Sequence, residues 1–396
     1  MKAIIIINED FSAWKLRGNL IRELVARGVD VAVACPTGDY ISHITELGAR
    51  HIPLPMYRFT SPAADLKLCR DIYTLVKREQ PDIVHTMSIK PNTFGAIAAK
   101  LAGAPRVVAL VCGLGFAFQS GGGLGQRIQR QVAVALYRLA GRTYDGVWFA
   151  NPDDLELFVD LKVVSRDRAL LTKGEGVNIQ RYSPDEVGPD ATARLRSEFD
   201  IPESCVIVLM MVARVVWPKG VRQFVETGKL ARDWGIPTHF LLVGPMEPES
   251  PDAVPPEYLE QNAGNNLTHV GFRSDVRELI ALADIVTLPS FYREGCPLVL
   301  IEGLAMGKPI VTTDHVGCRQ VVEEGENGFL VPIEDTDKFS TAVRTLAFDP
   351  FLRRNQGIRS REKARREFAD ELVMTQVMTQ LYGLAPRQAA ASGHSA

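Results

Sequence analysis

Two carboxylates, Glu294 and Glu302, stand in the run Pro289-Ser-Phe-Tyr-Arg-Glu-Gly-Cys-Pro-Leu-Val-Leu-Ile-Glu302, with seven residues between them. Gly295 and Pro297 punctuate the gap. The spacing predicts that Glu294 ends a loop and that Glu302 lies about a turn inside a helix opened by Pro297. The unpaired amides of such a helix start attract anions, so the ground between the acids suits a phosphate ester. A sugar nucleotide carries hydroxyls for the carboxylates and a diphosphate for the amides. Two cations supply what the acids cannot. Arg214 and Lys219, in Ala213-Arg-Val-Val-Trp-Pro-Lys-Gly220, bracket the turn from an apolar strand into a helix, where fixed positive charge can clamp a diphosphate. Solvated surface cations are the ordinary reading of such a pair. The acidic motif further along makes that the minority reading.

Both sets must be held by a fold large enough to position them. The chain has 396 residues, 46% hydrophobic and 23% charged, which is room for two domains with separate cores. A net charge of −2 argues against nucleic acid as a partner. Six scattered cysteines without zinc spacing read as reduced thiols in a cytosol and imply no metal cage. No run of eighteen apolar residues occurs, so no membrane-spanning helix is expected.

Apolar strands alternate with helical periodicity from Ala3 onward. In the first half the strands are read at Ala3–Ile7, Val29–Cys35, Ile83–His85, Val107–Cys112 and Val147–Ala150, with helices over 66–79, 92–102 and 126–141. After a stretch around Ser183–Thr192 with the look of a linker, a second series follows at Val206–Val212, Phe240–Val243, Leu267–Val270, Ile285–Leu288, Pro309–Thr312 and Gly328–Val331. The expected architecture is α/β, with two Rossmann-like doubly wound domains over 1–185 and 186–368 facing across a cleft at the carboxyl ends of their strands. Residues 369–385 are expected to form a helix returning to the first domain, and 386–396 a disordered tail.

The pairing of Arg-x4-Lys-Gly with Glu-Gly-x-Pro-x4-Glu, followed by Ala305-Met-Gly-Lys-Pro-Ile-Val-Thr-Thr-Asp314 and Gly325-Glu-Asn-Gly-Phe-Leu-Val-Pro332, resembles the retaining glycosyltransferases of family 4, which have the GT-B fold. Through Pro81-Asp-Ile-Val-His-Thr-Met-Ser-Ile-Lys90-Pro91-Asn and Cys112-Gly113-Leu-Gly115-Phe, the first half is similar to members that extend undecaprenyl-diphosphate-linked glycans. The resemblance implies that Arg214 and Lys219 hold the donor diphosphate and that Glu302 holds the nucleotide ribose. It implies that Glu294 holds a hydroxyl of the transferred sugar, with Gly295, Cys296, Pro297 and Leu298 around the sugar and phosphate. A UDP-sugar is then a substrate, with no cofactor or metal, and the acceptor is a polyprenyl-diphosphate-linked sugar. Lys90 is the candidate for the acceptor phosphate, with Gly113 and Gly115 nearby. Many members carry a histidine where this chain has Cys112-Gly113-Leu114-Gly115. His85, ending an apolar strand, reads as a core histidine.

Over 125–142, Ile128, Val132, Ala135, Leu136 and Leu139 form an apolar stripe, while Arg127, Arg130, Arg138 and Arg142 are charged. This is either a domain helix with solvated arginines or a basic amphipathic helix on the inner-membrane surface. The implied acceptor favours an enzyme of the cytoplasm, peripheral on that membrane. Other readings are weaker. The nicotinamide fingerprint is missing after the first strand, and Pro309 breaks the P-loop ending. A UDP-sugar 2-epimerase shares the architecture, and a noncatalytic nucleotide-sugar-binding protein is the third possibility.

Overall fold

A computed structural model describes residues 1–57, 61–114, 118, 124–211 and 214–386. The chain divides into one unit of Met1–Thr172 with the residues from Glu371 onward, and a second of Lys173–Asp370. The division precedes the segment read as a linker. Arg361 holds the start of that segment in the second unit, donating to the Ser183 hydroxyl at 3.2 Å and, just ahead of it, to the carbonyls of Ile179 at 2.9 Å and Tyr182 at 2.6 Å.

The first unit is built on seven strands: β1 (Lys2–Ile6), β2 (Asp30–Cys35), β3 (Arg50–Pro53), β4 (Ile83–Met87), β5 (Arg106–Val111), β6 (Gly146–Phe149) and β7 (Ala169–Leu171). All pairs are parallel, in the order β3-β2-β1-β4-β5-β6-β7. Helices cover both faces, which is why Ile4, Ile5 and Ile6 are all fully buried and the strand reads as an unbroken apolar run. Periodicity did not mark β3 and β7, because an edge strand of four or three residues is too short to carry it. The helix expected over 92–102 begins as a π-turn at Pro91–Gly95 and becomes α-helical over Ala96–Leu101. After Glu371, Val373, Val377, Met378, Leu381 and Tyr382 pack in the same core as Ile5, Val33 and Trp148.

Within this core His85 is fully buried, and its Nδ1 lies 2.7 Å from the Tyr382 hydroxyl. Burial, and then the charge of Arg17, depress its pKa to about 3. It is a neutral core histidine. The unfolded chain binds a proton below the ordinary histidine value that the folded chain refuses until about pH 3. His85 therefore removes stability as pH falls through this window, by up to about 1.4 kcal/mol per pH unit. Urea unfolding of His85→Gln at pH 7 and pH 5 should show a shallower pH dependence than the wild type; equal slopes would refute the assignment.

The second unit repeats the design with β8 (Val206–Met211), β9 (Thr238–Val243), β10 (Leu267–His269), β11 (Ile285–Leu288), β12 (Ile310–Thr313) and β13 (Gly328–Val331). Its parallel order is β10-β9-β8-β11-β12-β13. The strand order reverses between β8 and β11, and in open α/β sheets ligands gather at the carboxyl ends of the strands flanking such a reversal. Among the described residues no helix is long and apolar enough to cross a membrane.

Candidate active site

The Arg214–Lys219 segment follows β8 and the Glu294 loop follows β11. These strands are neighbours, with Ile285 opposite Val208 and Thr287 opposite Met210. Residues far apart in sequence thus leave the sheet side by side. Lys219 lies in a single 3-10 turn, Trp217–Lys219, and Gly220 then turns the chain into the helix Val221–Leu230. Gly220 has φ +82°, and a Cβ there would stand 2.1 Å from the Pro289 carbonyl oxygen. Only glycine allows the two loops to close so tightly. The contact is extended by the Phe291 and Tyr292 amides, which donate to the Pro218 carbonyl at 2.8 and 3.1 Å.

The result is a direct bond between two of the expected site residues. Lys219 Nζ donates to Glu294 Oε1 at 2.6 Å, and the Ser290 hydroxyl donates to the same oxygen at 2.9 Å. The Lys219 ammonium also lies 5.4 Å from the Tyr292 ring centroid. Both charged side chains are nearly buried, 13% and 10% exposed, so each is needed to offset the other. Arg214 pairs with Glu247 at 2.7 Å. Burial opposes its charge, but the Glu247 bond and the nearby Tyr292 and Glu294 outweigh burial and raise its pKa. Sequence reasoning missed Ser290 and Glu247. The position of Ser290, just after a strand and one helical turn's spacing before Glu294, was the available signal.

Glu302 sits within the helix Leu298–Ala305, which Pro297 caps. It is as buried as Glu294, at 9% exposure each. Tyr182 lies against it, with a hydroxyl pushed up by burial first and then by the charge and hydrogen bonding of Glu302. Behind the motif, Gly317 at φ +79° brings the loop after β12 onto the Glu294 and Gly295 carbonyls, 2.6 and 2.7 Å from where its Cβ would be. The Cys296 thiol is buried, which raises its pKa; Cys318 nearby adds to the shift. The thiol is therefore held protonated and is not a thiolate.

The family model for "Glycosyl transferases group 1" matches residues 206–349, and that for "Glycosyl transferase 4-like domain" matches 15–172. The chain is a family 4 glycosyltransferase of the GT-B fold. The glycosyltransferase is 29% identical over 372 residues to the N,N'-diacetylbacillosaminyl-diphospho-undecaprenol alpha-1,3-N-acetylgalactosaminyltransferase of Campylobacter jejuni, covering 94% of this chain and 95% of that protein. It is 28% identical over 340 residues to the UDP-Gal:alpha-D-GlcNAc-diphosphoundecaprenol alpha-1,3-galactosyltransferase of Escherichia coli, covering 82% and 81%. In fold it matches Anabaena Alr3699/HepE in complex with UDP and glucose, with a TM-score of 0.80 at 18% identity over 97% of this chain and 100% of that one.

In the first unit of the glycosyltransferase, Lys90 follows β4 and donates to Asp65 at 2.6 Å. Gly113, after β5, has φ +97°. Gly115 lies outside the described residues, as do Val212 and residues 387–396 of the expected tail. The helix Leu124–Gly141 buries Val134, Tyr137 and Ala140 and leaves Ile128, Val132 and Leu139 exposed by 57%, 54% and 49%. Residues 128, 132, 135 and 139 fall on one line along a helix, and here that line lies opposite the buried face. Arg127, Arg130, Arg138 and Arg142 are exposed, and 124–142 contains no acidic residue.

Proposed function

We propose that this glycosyltransferase moves a hexose or N-acetylhexosamine from a UDP-sugar to a polyprenyl-diphosphate-linked sugar, with retention at the anomeric carbon, at the cytoplasmic face of a membrane. The observation that carries the reading is the 2.6 Å contact of Lys219 with Glu294 beside Arg214, at the β8–β11 strand reversal. A diphosphate entering there takes Lys219 and Arg214 from their carboxylate partners. That exchange frees Glu294 to accept a sugar hydroxyl, while Ser290 keeps it in place. Glu302 takes the ribose hydroxyls, and the amides from Gly295 to Leu298 face sugar and phosphate.

As the bond from anomeric carbon to phosphate oxygen breaks, negative charge grows on the leaving diphosphate and is met by the two cations. The acceptor hydroxyl attacks from the face the diphosphate leaves, a leaving-group oxygen takes its proton, and the new glycosidic bond keeps the configuration. In this reading the leaving group needs no metal ion, so chelator leaves turnover unchanged. Lys90 is assigned to the acceptor phosphate, which competes with Asp65 for it. The relatives from Campylobacter jejuni and Escherichia coli, named for diphosphoundecaprenol-linked acceptors, support this acceptor class.

The test is transfer from UDP-N-acetylgalactosamine and UDP-galactose to N,N'-diacetylbacillosaminyl-diphospho-undecaprenol and GlcNAc-diphosphoundecaprenol, with the product anomer read by NMR. The expected product is α-linked and accompanied by UDP. An inverted product, epimerised donor or no UDP release would overturn the reading.

The outward stripe of the helix Leu124–Gly141, with Arg127 and Arg142 on its flank, is assigned to the anionic membrane surface, since apolar side chains beside cations suit an acyl boundary under acidic headgroups. Replacing Arg127 and Arg142 with Gln should weaken co-sedimentation with phosphatidylglycerol vesicles by about thirtyfold, at ~1 kcal/mol for each charge. Unchanged partition would remove the helix from that role.

A further inference from the structure

Four aromatic rings gather on the first unit where the chain leaves β1 and β2. Phe11 and Trp14 lie on the short helix Asp10–Lys15 after β1, and Tyr40 and His43 lie at and just inside the helix Ile41–Glu46 after β2. Trp14 stacks with Tyr40 at 5.2 Å and 13° between planes, and with His43 at 4.6 Å and 21°. The Tyr40 and His43 centroids are 6.2 Å apart, much closer than rings stacked on opposite faces of the indole would be. Both therefore lie to one side of Trp14. Phe11 meets Tyr40 and Trp14 edge-on at 5.1 and 6.2 Å.

Asp10 locks the two segments together. Its carboxylate accepts from the Phe11 amide at 2.9 Å and the Tyr40 amide at 2.8 Å. A side chain at Gly38 would meet the same carboxylate at 2.5 Å, so the loop after β2 lies directly against it. All four rings are only half-buried, and the Lys15 ammonium lies 5.7 Å from the Trp14 centroid. A core cluster would be covered, and an exposed apolar cluster would lack this polar rim of imidazole, phenol and ammonium.

We propose that Trp14, with Tyr40 and His43, is a stacking platform for a pyranose ring of the acceptor. A pyranose has an apolar C–H face that suits an electron-rich indole, and edge hydroxyls that suit polar groups around it. The platform stands at the carboxyl ends of its sheet, where open α/β units take ligands. No bond is made or broken there, so it sets acceptor affinity and not the rate of the chemical step. The inference rests on the acceptor reading given above.

The experiment compares wild type, Trp14→Ala and His43→Ala with the two lipid-linked acceptors and two UDP-sugars named above, measuring KM for each substrate, kcat and the melting midpoint. Trp14→Ala should raise the acceptor KM by about tenfold, the scale of one lost aromatic stacking contact, with the donor KM and kcat unchanged. If Trp14→Ala melts early, His43→Ala carries the test, with a smaller rise of about threefold expected in the acceptor KM alone. Wild-type transfer with an unchanged acceptor KM in folded variants overturns the platform and leaves the proposed function standing. A rise in donor KM instead also overturns it. No transfer by the wild type overturns both.

Discussion

Lys219→Ala lowers turnover by about 10²–10³, the scale of removing one preorganised donor from a developing oxyanion. The effect should fall mainly on kcat, because charge on the leaving diphosphate is greatest in the transition state. A purely structural role is the competing explanation, since Lys219 and Glu294 form a nearly buried pair and removing one partner leaves the other charge uncompensated. The two roles separate in a double variant. Lys219→Met with Glu294→Gln removes both charges together, which should restore much of the stability lost in Lys219→Ala while leaving turnover at the low level. Recovery of turnover along with stability would show that the pair holds the loop and does not act on the donor. Single-turnover assays with a UDP-sugar, alongside urea unfolding, give both readings.

Gly220→Ala should cost both stability and activity. At φ +82° any side chain is strained, and here the new Cβ would also lie 2.1 Å from the Pro289 carbonyl oxygen. The β8 and β11 loops must then separate, at a cost of about 2–3 kcal/mol or more. Separation carries Lys219 away from Glu294, and a displacement of ~1 Å in a positioning group can cost about 10² in rate. Gly235 provides the control, with a similar φ of +75° but nothing within 4 Å of where its Cβ would stand. Gly235→Ala should lose about 1 kcal/mol and no activity. Equal behaviour of the two variants, in melting and in turnover, would mean that backbone strain alone matters and that loop contact does not.

Much of this was legible from residue order. Continuous apolar runs such as Ala3–Ile7 and Phe240–Val243 are the mark of strands covered on both faces, and they located the parallel sheets. Gly295 and Pro297 marked the turn into a helix, and the pairing of Arg214 and Lys219 with the two glutamates pointed to a sugar nucleotide. Short edge strands such as Arg50–Pro53 escaped because too few residues carry the alternation. The segment around Ser183 has the composition of a linker, yet Arg361 ties it to the second unit through carbonyls that no local pattern reveals.

Sequence alone determined which chemistry was available, because the types of charged group and their local spacing are written in the chain. Only the tertiary structure decided which groups meet. Lys219 and Glu294 are 75 residues apart, and their contact follows from β8 and β11 being neighbours in the sheet order. The same holds for the outward face of the helix Leu124–Gly141 and for the rings around Trp14. Periodicity places side chains on a common line, but which face is buried, and which rings stack, depends on the elements packed against them.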